Sequence, residues 1–152
     1  MLYSEKLRPF AAAHPCRTID VDGAQFRYIL TGKPEGRTRV FLNGGMNTLE
    51  MWMDYVDALA DTGRVLLFDY PQQLRTNQAL VAGMHAFFAA VKGKILLILP
   101  DQDFFSGQMQ QDLIRLMHEQ EIRYVSGGHL STVLKTEDYI RTIRAFLAGQ
   151  PD

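Results

Sequence analysis

Short apolar runs alternating with stretches of helical periodicity constrain this chain more than any other feature. Val40-Phe41-Leu42, Val65-Leu66-Leu67-Phe68 and Ile95 to Leu99 are apolar on consecutive positions, as in strands covered on both faces of a parallel sheet. A fourth strand is expected from Ile122 to Val125. Between the runs the period changes. Leu49, Trp52, Met53, Val56, Leu59 and Ala60 predict a helix from about Thr48 to Asp61, and Asn47 with Glu50 three residues on has the spacing of a capping box. A second helix is expected from about Thr76, with Leu80, Val81, Met84, Phe87, Phe88 and Val91 on one stripe and Gly93 placed as its C-cap. Met109, Leu113, Leu116 and Met117 mark a third inward face, and Tyr139, Ile140, Ile143, Phe146 and Leu147 mark a closing helix. Ahead of this series, Arg17 to Val21 and Gln25 to Leu30 flank Asp22-Gly23, which predicts an antiparallel hairpin.

Strand and helix alternating through short connections specify an α/β layer fold with right-handed crossovers and a mainly parallel sheet. A chain of 152 residues, 47% hydrophobic, can bury the core of one domain spanning 1–152. No repeat, low-complexity tract or linker divides it.

The 16 Lys plus Arg stand against 17 Asp plus Glu, so no global basic field draws the chain to nucleic acid or anionic lipid. Cys16 is the single cysteine, which rules out an internal disulfide and a thiolate-rich zinc site. Charges at Glu5, Lys6 and Arg8 interrupt the start, and no apolar run reaches the roughly 18 residues of a membrane span. The expectation is a soluble cytoplasmic protein with no cofactor, no metal, no nucleic acid and no membrane partner.

Three loops carry the chemistry. Asn43-Gly44-Gly45 follows the first apolar strand, Asp101-Gln102-Asp103 the third, and Ser126-Gly127-Gly128-His129 the fourth. In this order they resemble the α/β-hydrolase family. Val40 to Gly45 is similar to its strand and oxyanion loop, Leu67-Phe68-Asp69-Tyr70-Pro71 to its next strand and turn, Ile98 to Asp103 to the strand bearing the triad acid, and Gly127-Gly128-His129-Leu130 to the loop bearing the triad histidine. The resemblance implies Asp103 as acid, His129 as base, and the Gly45 N–H as one oxyanion donor.

The nucleophile is the missing part. The family order is nucleophile, acid, histidine, with the nucleophile on a sharp strand-to-helix turn. Here no Gly-x-Ser-x-Gly lies between the first loop and the second, and of Ser4, Ser106, Ser126 and Ser131 only Ser126 has even the trailing glycine. The nucleophile strand, its elbow and helix, the cap region and the strand after it are all absent from the pattern. If the Ile95 strand fills the vacancy beside the Val40 strand, the four parallel strands take the order 2-1-3-4. That is a three-layer, flavodoxin-like or Rossmann-like arrangement, with the N-terminal hairpin added on its outer side and the switch point between Asn43 and Asp101.

Asn43, Gly44, Gly45 and Met46 precede a helix N-terminus, where free N–H groups and a partial positive charge suit an anion; the ordinary alternative is a tight turn that binds nothing. Asp103 and His129 form the expected pair, since a carboxylate on one ring nitrogen fixes the tautomer and frees the other as a base. Asp101 is the fallback acid, or a solvated turn residue. His14, His85 and His118 have no ligand partners at recognised spacing and read as surface histidines, while Arg141 and Arg144 decorate the exposed side of the closing helix.

Three functional classes follow. The first is a catalytically incompetent, shortened α/β-hydrolase derivative, natural or engineered, that keeps the scaffold without hydrolysis. The second is a weak ester or amide hydrolase or lyase working through the Asp103–His129 dyad. The third is a small-molecule or anion-binding module at the glycine loop. Self-association, as a homodimer or by exchange of the terminal helix, overlaps all three, because losing strands and a lid exposes apolar surface.

Overall fold

The computed structural model describes residues 3–21, 23–35, 38–41, 48–71, 95–103, 107–117 and 120–149. Outside them lie Asn43 to Met46, Asn47, Asp22, the expected 76–91 helix with Gly93, and Ser106, His85 and His118; the side chains of Met109, Leu113 and Leu116 are likewise not described. The chain divides into two compact units, Met1–Thr76 and Asn77–Asp152, taken in turn.

In the first unit, the hairpin forms as the Asp-Gly signal predicts. Strand β1 (Arg17–Val21) runs antiparallel to β2 (Ala24–Gly32), and the register Val21 to Ala24 leaves two residues for the turn. Gly23 has φ +81, and its N–H donates to Asp20 Oδ1 at 3.0 Å. Strand β3 (Thr38–Phe41) and strand β4 (Arg64–Phe68) pair in parallel, while β2 joins β4 antiparallel, giving the order β1-β2-β4-β3. The hairpin therefore lies on the outer side of the Val65 strand, as expected, and the Val40 and Val65 strands are neighbours.

The sheet here is mixed, not mainly parallel. The nine-residue β2 is long enough to serve β1 along one edge and β4 along the other, and both pairings are antiparallel.

Between β3 and β4 the expected helix is broken into a 3₁₀ turn Leu49–Trp52, helix α2 (Met53–Leu59) and a 3₁₀ turn Ala60–Thr62. Its stripe is nonetheless the one the periodicity gives: Leu49, Met53, Val56 and Leu59 are buried with Val65 and Leu67 of β4. Burial of each such side chain stabilises the unit by roughly 1.5–3 kcal/mol. Phe41, Trp52 and Tyr55 form an aromatic cluster, with ring centroids 5.0 to 5.7 Å apart.

The sequence reading missed helix α1 (Tyr3–Ala13), which holds Pro9 inside it and buries only Phe10. Tertiary contacts fix it: Lys6 Nζ pairs with Asp54 Oδ1 at 2.7 Å, and the His14 ring packs on Phe10 with Nδ1 2.9 Å from Thr31 Oγ1. His14 is thus not a surface histidine, its side chain being 17% exposed.

In the second unit, β5 (Ile95–Pro100) and β6 (Gln120–Val125) are parallel neighbours, connected through α3 (Gly107–Leu116). Helices α4 (Ser131–Leu134) and α5 (Thr136–Ala148) follow, and α5 packs against both strands. Tyr139 is its buried residue, while Arg141 and Arg144 are exposed as expected. Because β5 and β6 are parallel and end in register at Pro100 and Val125, their following loops emerge side by side at the carboxyl edge, where open α/β sheets bind ligands.

Candidate active site

The two loops at that edge are joined by backbone bonds that continue the ladder. Asp101 N–H donates to Val125 O at 3.1 Å and Gln102 N–H to Gly127 O at 2.9 Å. Gly127 N–H returns a bond to Asp101 Oδ1 at 2.8 Å. Asp101 is exposed, and its carboxylate holds the neighbouring loop; that is a structural use for the fallback acid. Gly127 has φ +141, and a Cβ there would lie 3.0 Å from Ser131 Cβ, so glycine suits both the conformation and the close packing.

This stitching brings Asp103 and His129 together. His129 Nδ1 lies 3.3 Å from Asp103 Oδ1 and 3.4 Å from Oδ2. The contact is longer than a strong N–H···O bond. Asp103 is 9% exposed at its side chain and His129 44%, so the acid is shielded and the imidazole has one side open to water.

The loop bearing His129 is pinned on its far side by α4. Ser131 N–H donates to Gly128 O at 2.9 Å, and Val133 and Leu134 N–H both donate to Leu130 O at 3.0 Å. Ser131 is buried, with its Oγ 2.8 Å from Tyr139 Oη on α5. It is therefore a core hydroxyl, whereas Ser126 is exposed. Burial raises the Tyr139 phenol above its ordinary value, the Ser131 bond opposes this, and the charge of Asp103 raises it further. Sequence reasoning did not find this hydroxyl pair, because an eight-residue separation between Ser and Tyr carries no motif.

In the first unit, the glycine loop 43–46 lies outside the described residues, but the helix after it does not. Leu49 N–H donates to Asp69 Oδ1 at 2.6 Å, and Asp69 Oδ2 accepts from Arg27 Nη1 at 2.9 Å. Arg27 Nη2 donates to Glu50 at 2.7 Å. Burial raises the Glu50 carboxyl, but bonds from Thr48, from its own N–H and from Arg27 outweigh this and hold it below the ordinary range. The start of the described helix is thus supplied with carboxylates from within the chain, and the Leu49 amide is engaged by one of them. Asp69 caps the Leu49 amide from twenty residues away, and the expected capping box of Asn47 with Glu50 lies partly outside the described residues.

Among the described residues no group of three His, Cys, Asp or Glu could hold a metal ion, and no helix is long and apolar enough to cross a membrane.

No protein-family model matches the chain, and no curated protein matches it. Solved structures do. A predicted CIB-like hydrolase from Thermoplasma acidophilum is 13% identical with a TM-score of 0.65, over 90% of this chain and 99% of that one. The carboxylesterase CesB (YbfK) from Bacillus subtilis is 9% identical with a TM-score of 0.66, over 98% of each chain. A hydrolase from Pseudomonas aeruginosa PA01 is 15% identical with a TM-score of 0.61, over 90% and 99%. At these identities the likeness is one of fold.

Proposed function

We infer that this chain, whose fold is that of the α/β-hydrolases, is a shortened derivative that keeps the acid and histidine of the site on a folded scaffold and has lost acyl-enzyme hydrolysis. The carrying observation is in the sequence: Tyr70 to Lys94, between β4 and β5 where the elbow belongs, contains neither serine nor cysteine. Without an activated nucleophile the covalent route is closed, whatever base is retained. The same reading puts β5 in the vacated place beside β3, giving the order 2-1-3-4, and NMR contacts between the two strands in solution would test that placement.

A fluorophosphonate probe and an activated ester test the function. The expectation is no covalent labelling and no burst of product. Labelling that disappears in Ser126→Ala would overturn it, because that serine would then be the nucleophile.

The Asp103–His129 contact favours a second reading, general-base catalysis by the dyad on water or on an acidic C–H. Such a base contributes roughly 10²- to 10⁴-fold when a substrate is held against it. Turnover without labelling, abolished in His129→Ala and reduced in Asp103→Asn, would establish it.

A further inference from the structure

We propose that the buried Ser131–Tyr139 hydroxyl pair is the positioning element that keeps His129 against Asp103. The proposal rests on the reading that these two residues remain a pair.

The His129 loop has two anchors. One is the backbone stitching to the Asp101 loop. The other is the start of α4, where Ser131 N–H holds the carbonyl of Gly128 immediately before the histidine, and Val133 and Leu134 hold the carbonyl of Leu130 immediately after it. Helix α4 has only four residues, too short to stay formed on its own hydrogen bonds. Something must fix it from outside.

Ser131 supplies that tie. It is 3% exposed, its Oγ meets Tyr139 Oη at 2.8 Å, and Tyr139 is 4% exposed on the 13-residue α5. Thus the long helix that packs on β5 and β6 holds the short one, and the short one holds the histidine loop. Gly127 closes against the same serine, where a Cβ would lie 3.0 Å from the Ser131 Cβ. A buried hydroxyl pair of this kind stays because removing one partner strands the other.

The chemistry of the pair predicts an effect on imidazole geometry separate from global stability. Neither Ser131 nor Tyr139 is a catalytic residue; both are positioning residues that act through the loop.

The test uses ¹⁵N-labelled imidazole spectra of the full chain, which report the tautomer and the Nδ1 hydrogen bond of His129. Asp103→Asn comes first: a changed His129 signal shows that the dyad exists, and an unchanged one removes the dyad reading. With that signature in hand, Tyr139→Phe is expected to displace the His129 nitrogens in the same direction while the amide spectrum of β5 and β6 is retained. Ser131→Ala should do the same, and Ser131→Thr, which keeps the hydroxyl, should restore the signal. Should Tyr139→Phe not fold, the Ser131 variants decide the matter. A folded Ser131→Ala or Tyr139→Phe with wild-type His129 signals overturns the proposal and leaves the dyad itself untouched.

Discussion

The amide of Gly127 donates to the carboxylate of Asp101 at 2.8 Å, which ties the loop carrying the histidine to the loop carrying its acid. Both loops leave parallel strands that end in register, and this side-chain bond adds to the backbone bonds from Asp101 to Val125 and from Gln102 to Gly127 that hold them together. Asp101→Asn, which keeps an acceptor oxygen, should leave stability nearly unchanged. Asp101→Ala should cost about 1 kcal/mol and speed hydrogen exchange at Gly127. Urea unfolding with amide exchange checks both, and equal behaviour of the two variants would show that the bond does not hold the loop.

Gly32 and Gly23 share a left-handed backbone, with φ +83 and +81, yet their surroundings differ. A Cβ at Gly32 would stand 2.2 Å from the Gly63 carbonyl oxygen, while one at Gly23 meets nothing within 4 Å. The close approach at Gly32 lets Lys33 N–H reach the carbonyls of Ala60 and Gly63, each at 3.2 Å. Gly23→Ala is expected to cost about 1–2 kcal/mol for backbone strain alone. Gly32→Ala adds a backbone collision and should cost more than about 3 kcal/mol. Thermal unfolding that ranks the two equally would contradict this packing.

The strands at Val40, Val65 and Ile95 were legible as short apolar runs, and the hairpin because Asp22-Gly23 has a turn chemistry of its own. The candidate acid and histidine were legible through the resemblance of Ile98 to Asp103 and of Gly127-Gly128-His129-Leu130 to the acid and histidine loops of the α/β-hydrolases. What the sequence hid is tertiary. Helix α1 buries only Phe10, so it has no stripe to read. The helix after the glycine loop is capped by Asp69, twenty residues beyond Leu49, where no local motif could place it. Ser131 and Tyr139 look like ordinary surface polar and core aromatic positions until the fold brings their hydroxyls together.

Asp69 makes its capping role measurable. Its Oδ1 takes the buried Leu49 N–H and its Oδ2 the Arg27 guanidinium. Asp69→Ala strands the Leu49 N–H and removes one partner of Arg27, which is half exposed and keeps Glu50, and should destabilise the first unit by about 1–3 kcal/mol. Asp69→Asn keeps an acceptor for Leu49 and should lose only about 1 kcal/mol. A chemical-denaturation series showing Asn as costly as Ala would mean that the charge, not the cap, is what matters.

Glu50 gives the same corner a pH dependence. Its folded carboxyl is held below the ordinary value of 4.5, so it favours the folded state above that pH. The contribution disappears as the pH falls through the lowered folded value. The stability difference between wild type and Glu50→Gln should therefore be largest near neutrality and shrink with acidification below 4.5. Added salt should reduce it as well, because the partner Arg27 is half exposed. A difference that grows on acidification would reverse the sign of the interaction.

Arg39 on β3 carries the opposite situation, a charge held at a cost. Its Nη2 donates to Thr62 O at 2.8 Å, but Nε and Nη1 are buried with no hydrogen-bond partner among the described residues. Burial lowers the guanidinium below its ordinary value, and the charge of Asp61 only partly offsets that. Replacing it with methionine gives up one bond worth about 1 kcal/mol and relieves two stranded donors, each costing about 1–3 kcal/mol. The methionine chain also keeps the apolar contacts of the arginine stem. Arg39→Met is therefore expected to be as stable as wild type or more so in urea, and Arg39→Ala, which empties the site, less stable than Met. If Met cost more than about 2 kcal/mol, the guanidinium would have to be satisfied in solution by groups beyond Thr62, and β3 would be anchored through its charge instead of despite it.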